Sequence, residues 1–117
     1  MSPKRGDRVA PPAEPGGWEL RFASTEAAKG WDALCQQAPA NTLTAWRELR
    51  TRADAPDMTP RHHRLRGRLD SANHAGVVMQ QWQIEVTGGG RIWYLVDTRR
   101  RVLWIKAAGT AHPKETE

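Results

Sequence analysis

The chain has 117 residues and carries 18 Lys and Arg against 13 Asp and Glu, a formal net charge of +5. That length allows one small domain, and the basic balance points to an anionic partner, either nucleic acid or an acidic protein. The lone Cys35 excludes an intramolecular disulfide and fits a cytoplasmic protein. No apolar run approaches the ~18 residues of a membrane span, and the basic N-terminus lacks the apolar stretch of a signal peptide.

Residues 1–17 hold Pro3, Pro11, Pro12 and Pro15 with Gly6, Gly16 and Gly17, and almost no large apolar side chain. Such a segment buries too little surface to offset its ordering entropy, so a flexible basic tail is expected there. The single folded domain is expected over 18–117. Its six Trp, at 18, 31, 46, 82, 93 and 104, all fall inside patterned segments and supply core bulk. Trp93 is the exception, expected beside Arg91 either as packing or as an exposed stacking surface.

Trp18 to Ala23 alternates apolar and polar residues, the pattern of a half-buried strand. Ser24 offers an N-cap and Glu26 a first-turn acid. Ala27, Ala28, Trp31, Leu34, Cys35 and Ala38 then follow at helical spacing, with Gly30 costing up to ~1 kcal/mol relative to Ala. Pro39 is expected to stop this helix. Asn41 or Thr42 is expected to cap a second one, with Leu43, Trp46, Leu49 and Ala53 buried and Arg47 and Arg50 turned away. The short link predicts a helical hairpin.

Arg61 to Leu69 is expected as a basic strand, with Arg64, Arg66 and Arg68 on one face and Leu65 and Leu69 on the other. Asp70 to Met79 carries few signals and is expected as a loop or insertion, with Val77 to Met79 as a candidate lead-in to the next strand. A β-meander follows. Trp82, Ile84 and Val86 share one face of its first strand, and Gln83 and Glu85 the other. Gly88-Gly89-Gly90 forms a hairpin turn through glycine's access to positive φ. Ile92, Tyr94 and Val96 share one face of the middle strand. Val102 to Ala107 is a strand buried on both faces. This order predicts an α+β domain: an N-terminal strand, a helical hairpin, then a three- to four-stranded, largely antiparallel twisted sheet.

Four segments, in order, resemble the RelE/ParE superfamily of toxins from type II toxin–antitoxin systems. Ala28-Lys29-Gly30-Trp31-Asp32-Ala33-Leu34 is similar to its K-x-W-x-x-L helix motif, and Arg64-Leu65-Arg66-Gly67 to its K/R-L-x-G lead-in to the sheet. Arg91-Ile92-Trp93-Tyr94-Leu95-Val96 is similar to its R-[VIL]-x-Y-x-[VI] middle strand, and Ala108-Gly109 to His112 to its closing segment. The resemblance covers about residues 18 to 114. It implies a RelE-like fold and two alternative activities. The RelE, YoeB and HigB branches cut mRNA on the ribosome and leave a 2′,3′-cyclic phosphate, whereas the ParE branch poisons DNA gyrase. Either way a cognate antitoxin is the implied partner, with ribosome and mRNA added for the nuclease. A non-catalytic binding module on the same fold is a third reading.

Attack by a 2′-hydroxyl needs a base, positive charge for the developing phosphorane, and an acid for the leaving 5′-oxygen. The resemblance assigns Arg91 to the phosphate, where a planar fork suits the oxygens. It assigns His112, a group that ordinarily titrates near neutrality, to proton transfer. Glu85 is a candidate base and Lys114 a candidate phosphate contact. Gln83 and Glu85 stand roughly where RelE carries lysines, so the implied set is of the Glu/Arg/His type. Arg64, Arg66 and Arg68, with Arg47 and Arg50, are candidates to grip an RNA backbone, and Trp93 to stack on a base. The four histidines and one cysteine show no zinc spacing, and the triple glycine lacks the Lys-Ser/Thr of a phosphate loop, so no metal or other cofactor is expected.

Overall fold

The computed structural model of the chain describes residues 3–9 and 14–110. Two helices pack on a mixed sheet of six strands: β1 (Glu19–Phe22), α1 (Thr25–Gln37), α2 (Pro39–Arg50), β2 (His62–Arg64), β3 (Ser71–His74), β4 (Val77–Glu85), β5 (Arg91–Asp97) and β6 (Val102–Gly109). The sheet order is β1-β6-β5-β4-β2, with β3 also paired to β4. Only β1 and β6 run parallel; the other pairs are antiparallel. The α+β class and the largely antiparallel sheet agree with the sequence, but the strand count is higher.

The extra strand comes from the segment expected as a loop. Ser71–His74 pairs with Val77–Gln80 through a turn at Ala75 and Gly76, both with positive φ. Little apolar burial marks this hairpin: Val77 and Val78 stay exposed, and only Met79 is buried, so the segment carries no periodic signal.

The N-terminal segment also departs from expectation. Residues 4–9 lie along β1: Gly6 N–H donates to Phe22 O at 2.8 Å, Phe22 N–H to Asp7 O at 3.0 Å, and Val9 N–H to Leu20 O at 2.9 Å. Val9 is 3% exposed and belongs to the core. Covering the free edge of β1 satisfies its backbone groups, a benefit invisible in the tail's own composition.

Helix α1 starts as expected, with the Ser24 hydroxyl accepting from Ala27 N–H at 3.1 Å. The second helix does not. Pro39 begins α2 instead of only ending α1, because a first-turn proline sacrifices no helical N–H. Ala38 is the hinge, and neither Asn41 nor Thr42 caps. The Thr42 hydroxyl instead donates to Leu34 O at 3.1 Å, tying the two helices together. The buried stripe runs through Thr42, Ala45 and Leu49, with Trp46 partly buried against the core as expected, while Leu43 is exposed.

The main core lies between the helices and one sheet face. It contains Trp18, Leu20, Phe22, Leu34, Leu49, Trp82, Ile84, Ile92, Tyr94, Leu103 and Ile105. Gly30 sets how close α1 comes to β6: a Cβ there would stand 1.7 Å from the carbonyl oxygen of Ala108. The opposite sheet face is also covered, by Leu65 and Leu69 packed on Trp93. No helix among the described residues is long and apolar enough to cross a membrane.

Candidate nucleic-acid interface

The basic segment 61–69 is not one strand. Only His62–Arg64 pairs with β4; Gly67 then adopts φ +59 and the chain closes a 3-10 turn over Gly67–Leu69. The turn lets Leu65 and Leu69 both drop onto the sheet while Arg66 and Arg68 remain exposed. Gln81 anchors it, donating through Nε2 to Leu69 O at 2.8 Å, while its own carbonyl accepts from Leu65 N–H at 3.0 Å. The apolar and basic sides are divided as expected, by a turn instead of a pleat. Arg64 falls outside the strip: its Nε donates to Asp70 O at 3.0 Å and its Nη2 to the Ser71 hydroxyl at 3.2 Å.

A cavity of about 590 Å³ opens beside this turn. His63, Arg64, Arg66 and Asp70 line it with Met58 and Thr59. In sequence His63 stands out only as one of four histidines without zinc spacing. As neighbours on a strand, His62 and His63 point to opposite faces, so the pair supplies one imidazole to the core side and one to this cavity. That alternation was the only signal available.

Arg91 is 8% exposed. Its Nη1 donates to the carbonyls of Thr87 at 2.9 Å, Gly90 at 3.0 Å and Gly88 at 3.3 Å. Its Nη2 lies 3.6 Å from Glu85 Oε2, directly across the β4–β5 ladder. The guanidinium therefore braces the hairpin turn and does not stand open to a phosphate. The triple glycine also works differently from expectation, since none of the three has positive φ. Gly90 is needed for space: a Cβ would meet Thr87 Oγ1 at 2.8 Å and a Leu34 methyl at 3.1 Å. Glu85 is half-buried and is drawn to Arg91, not set apart as a base.

Trp93 is 5% exposed, packs on Leu65 and Leu69, and donates its indole N–H to Gln83 Oε1 at 2.8 Å. It has no open face for a base, because the 65–69 segment folds over it. Arg47 is exposed on α2, and Arg50 is half-buried over the Trp46 ring at 4.4 Å. Both belong to a separate cavity and do not join the 61–68 group. His112 and Lys114 lie outside the described residues. Among the described residues no cluster of His, Cys, Asp or Glu is suited to a metal.

A second polar group, also missed, sits on the core side. Arg52 is 6% exposed, just past the end of α2. Its Nε donates to the Tyr94 hydroxyl at 3.0 Å, and that hydroxyl shares a 2.5 Å hydrogen bond with His62 Nε2. Since Arg52 can only donate, the tyrosine proton is directed at His62, whose Nε2 accepts. Burial, then the positive charges of Arg52, His63 and Arg61, push His62 down to about 4, so the imidazole is neutral near pH 7. Burial pushes the Tyr94 hydroxyl up to about 12, partly offset by Arg52. In sequence, Arg52 looks like one more arginine in a basic loop.

Compared with known proteins, the chain matches no family model, no curated protein and no solved structure.

Proposed function

We propose that the chain is a metal-independent endoribonuclease that cuts mRNA on the ribosome, acting as the toxin of a type II toxin–antitoxin pair with a RelE-like fold and held in check by a cognate antitoxin. One observation carries this reading. Exposed Arg66 and half-buried Arg64 line a cavity that also contains an imidazole, His63. Arginine side chains neutralise backbone phosphates without reading sequence, and a histidine beside them offers proton transfer. In this reading His63 takes the proton of a 2′-hydroxyl as its oxygen attacks the adjacent phosphorus. Arg66 faces the developing charge. The P–O5′ bond breaks, and the 5′-oxygen takes a proton from a second group, for which His112 is the proposed donor. The products are a 2′,3′-cyclic phosphate and a free 5′-hydroxyl.

The test is induced expression with transcript ends mapped in translating and translation-blocked cells. Growth arrest with new 5′ ends inside translated codons is expected. His63→Gln and Arg66→Gln should each reduce cleavage by about 10²-fold or more if they act in proton transfer and charge neutralisation. Cleavage unchanged in both variants removes this site.

A second reading, a gyrase inhibitor that cleaves nothing, is favoured by the engagement of Arg91 with turn carbonyls and Glu85. It predicts gyrase-trapped DNA breaks with intact mRNA in the same cells.

A further inference from the structure

We propose that the open edge of β3 is a homodimer interface, where a second copy of this chain adds its own β3 antiparallel to the first. The inference does not depend on the nuclease reading. It starts from the backbone groups that β3 leaves without a partner. β3 and β4 close through the two-residue turn Ala75-Gly76, with φ of 52° and 84°, the conformation that makes His74 and Val77 a hydrogen-bonded pair. Hydrogen-bonded and non-hydrogen-bonded pairs alternate along an antiparallel ladder. Ala72 therefore also bonds inward, to Met79, and Asp70 O accepts from Gln81 N–H at 2.9 Å in the same phase. The N–H and C=O of Ser71 and Asn73 point outward, and among the described residues no backbone group meets them.

The neighbouring β2 lies on the same side of β4, and its edge is closed. Thr59 and His62 exchange backbone hydrogen bonds at 2.8 and 3.1 Å, and the 65–69 segment leaves the ladder to cover Trp93. Charged side chains, proline and bulges are the usual means of keeping an edge from pairing with another chain. β3 has none of them. From Ser71 to Ile84 the sequence contains no Lys, Arg, Asp, Glu or Pro, although 26% of the chain is charged.

Three features select a second copy as the occupant. The stretch is neutral, so it attracts neither an acidic nor a basic strand, and a copy of itself meets no local repulsion there despite the net charge of +5. The outward groups are self-complementary. With Ser71 set against Asn73 of the second copy, each exchanges both of its bonds, and Ala72 faces its own equivalent on the two-fold axis. Alanine is small enough for that approach, since the Cα atoms of such a non-hydrogen-bonded pair stand only about 4.5 Å apart. The same register brings exposed Asp70 opposite His74 of the second copy, a carboxylate beside an imidazole at each end of the seam. Asp70 also lines the cavity beside His63, so the seam runs along the rim of that cavity.

The experiment is sedimentation velocity of the full chain over a dilution series, with amide exchange measured at the same concentrations. So short an edge gives a weak, concentration-dependent dimer, and the amides of Ser71 and Asn73 should exchange more slowly as it fills. Ala72→Lys sets two like charges across the axis and should raise the dissociation constant about tenfold or more. Leu43→Lys, at an exposed position on α2, should leave it unchanged. In a Cys35→Ser background, Ala72→Cys should be captured as a disulfide-linked dimer under mild oxidation, since the axial pair lies within bridging distance.

The proposal is overturned by a chain that stays monomeric up to about 1 mM, where even millimolar affinity would show; that result leaves the edge to a strand of a different protein. A dimer that Ala72→Lys leaves intact overturns it too, because the interface then lies elsewhere, as does Ala72→Cys that stays monomeric under oxidation. Slow exchange at Ser71 and Asn73 that does not change with dilution also overturns it, because the chain then covers the edge itself.

Discussion

Arg52 is fastened to Tyr94 by a 3.0 Å hydrogen bond that joins the end of the helical hairpin to the centre of the sheet. The same residue accepts the Trp18 indole N–H on its carbonyl at 2.7 Å, so three distant segments meet there. Tyr94→Phe keeps the ring but leaves Arg52 Nε and His62 Nε2 without their shared partner. A buried donor left unsatisfied costs about 1–3 kcal/mol. The urea midpoint should fall with little change in slope, since the surface exposed on unfolding is nearly the same. A variant as stable as the parent would show that this bond contributes nothing net.

Protonation of His62 tests the same cluster from the other side. Its folded value, about 4, lies below the ordinary value of 6.5. Between those pH values the unfolded chain binds more protons than the folded one, so stability rises with pH there. The contribution is complete above about pH 6.5 and is lost as pH falls through about 4. The physical cause is visible in the geometry: a charged His62 could only donate to a hydroxyl that already accepts from Arg52, beside a second positive charge. Urea unfolding at pH 7, 5.5 and 4 should show this decline, and His62→Gln should flatten it. An equally steep decline in His62→Gln assigns the effect to other groups.

How much of this could be seen in the residues themselves varies with the kind of signal. The meander was legible because Ile92, Tyr94 and Val96 alternate with Arg91, Trp93 and Leu95, and burial on the helix side enforces that period. The first helix was legible from Ser24 and its apolar spacing. The second was misphased because Pro39 suits both the end of one helix and the start of the next. The site was much less legible. Arg91 and Trp93 carry the chemistry of recognition, but tertiary placement decides whether a guanidinium meets phosphate or carbonyl oxygens and whether an indole faces a base or Leu65. Arg52, buried by contacts 34 and 42 residues away, left no local trace.

Gly30 gives a case in which local propensity and tertiary packing predict opposite signs. In the interior of α1, Gly30→Ala should stabilise the helix by up to ~1 kcal/mol. The added Cβ, however, would stand 1.7 Å from Ala108 O, a backbone atom inside a ladder. Separating α1 from β6 would loosen the packing around Leu34 and Ile92 and should cost about 1–3 kcal/mol, as overpacking does. Thermal unfolding reads the sign directly. A raised Tm would mean that α1 can move away from the sheet at no cost.

Arg91 is the residue for which a bracing role and a phosphate-binding role separate most cleanly. Its Nη1 gathers three carbonyls of the Thr87–Gly90 turn, and Gly90 N–H in turn donates to the Thr87 hydroxyl at 2.7 Å. Removing the guanidinium by Arg91→Ala frees those carbonyls and leaves Glu85 without its partner at 3.6 Å. Hydrogen bonds to a charged donor are worth about 1.5–3 kcal/mol each at most, and these share one group, so a total loss of about 2–3 kcal/mol is expected. The turn should also open more often, which amide exchange at Gly90 would register as faster exchange than in the parent. If stability and exchange at Gly90 hold while RNA cleavage disappears, Arg91 acts on substrate and the bracing account is wrong.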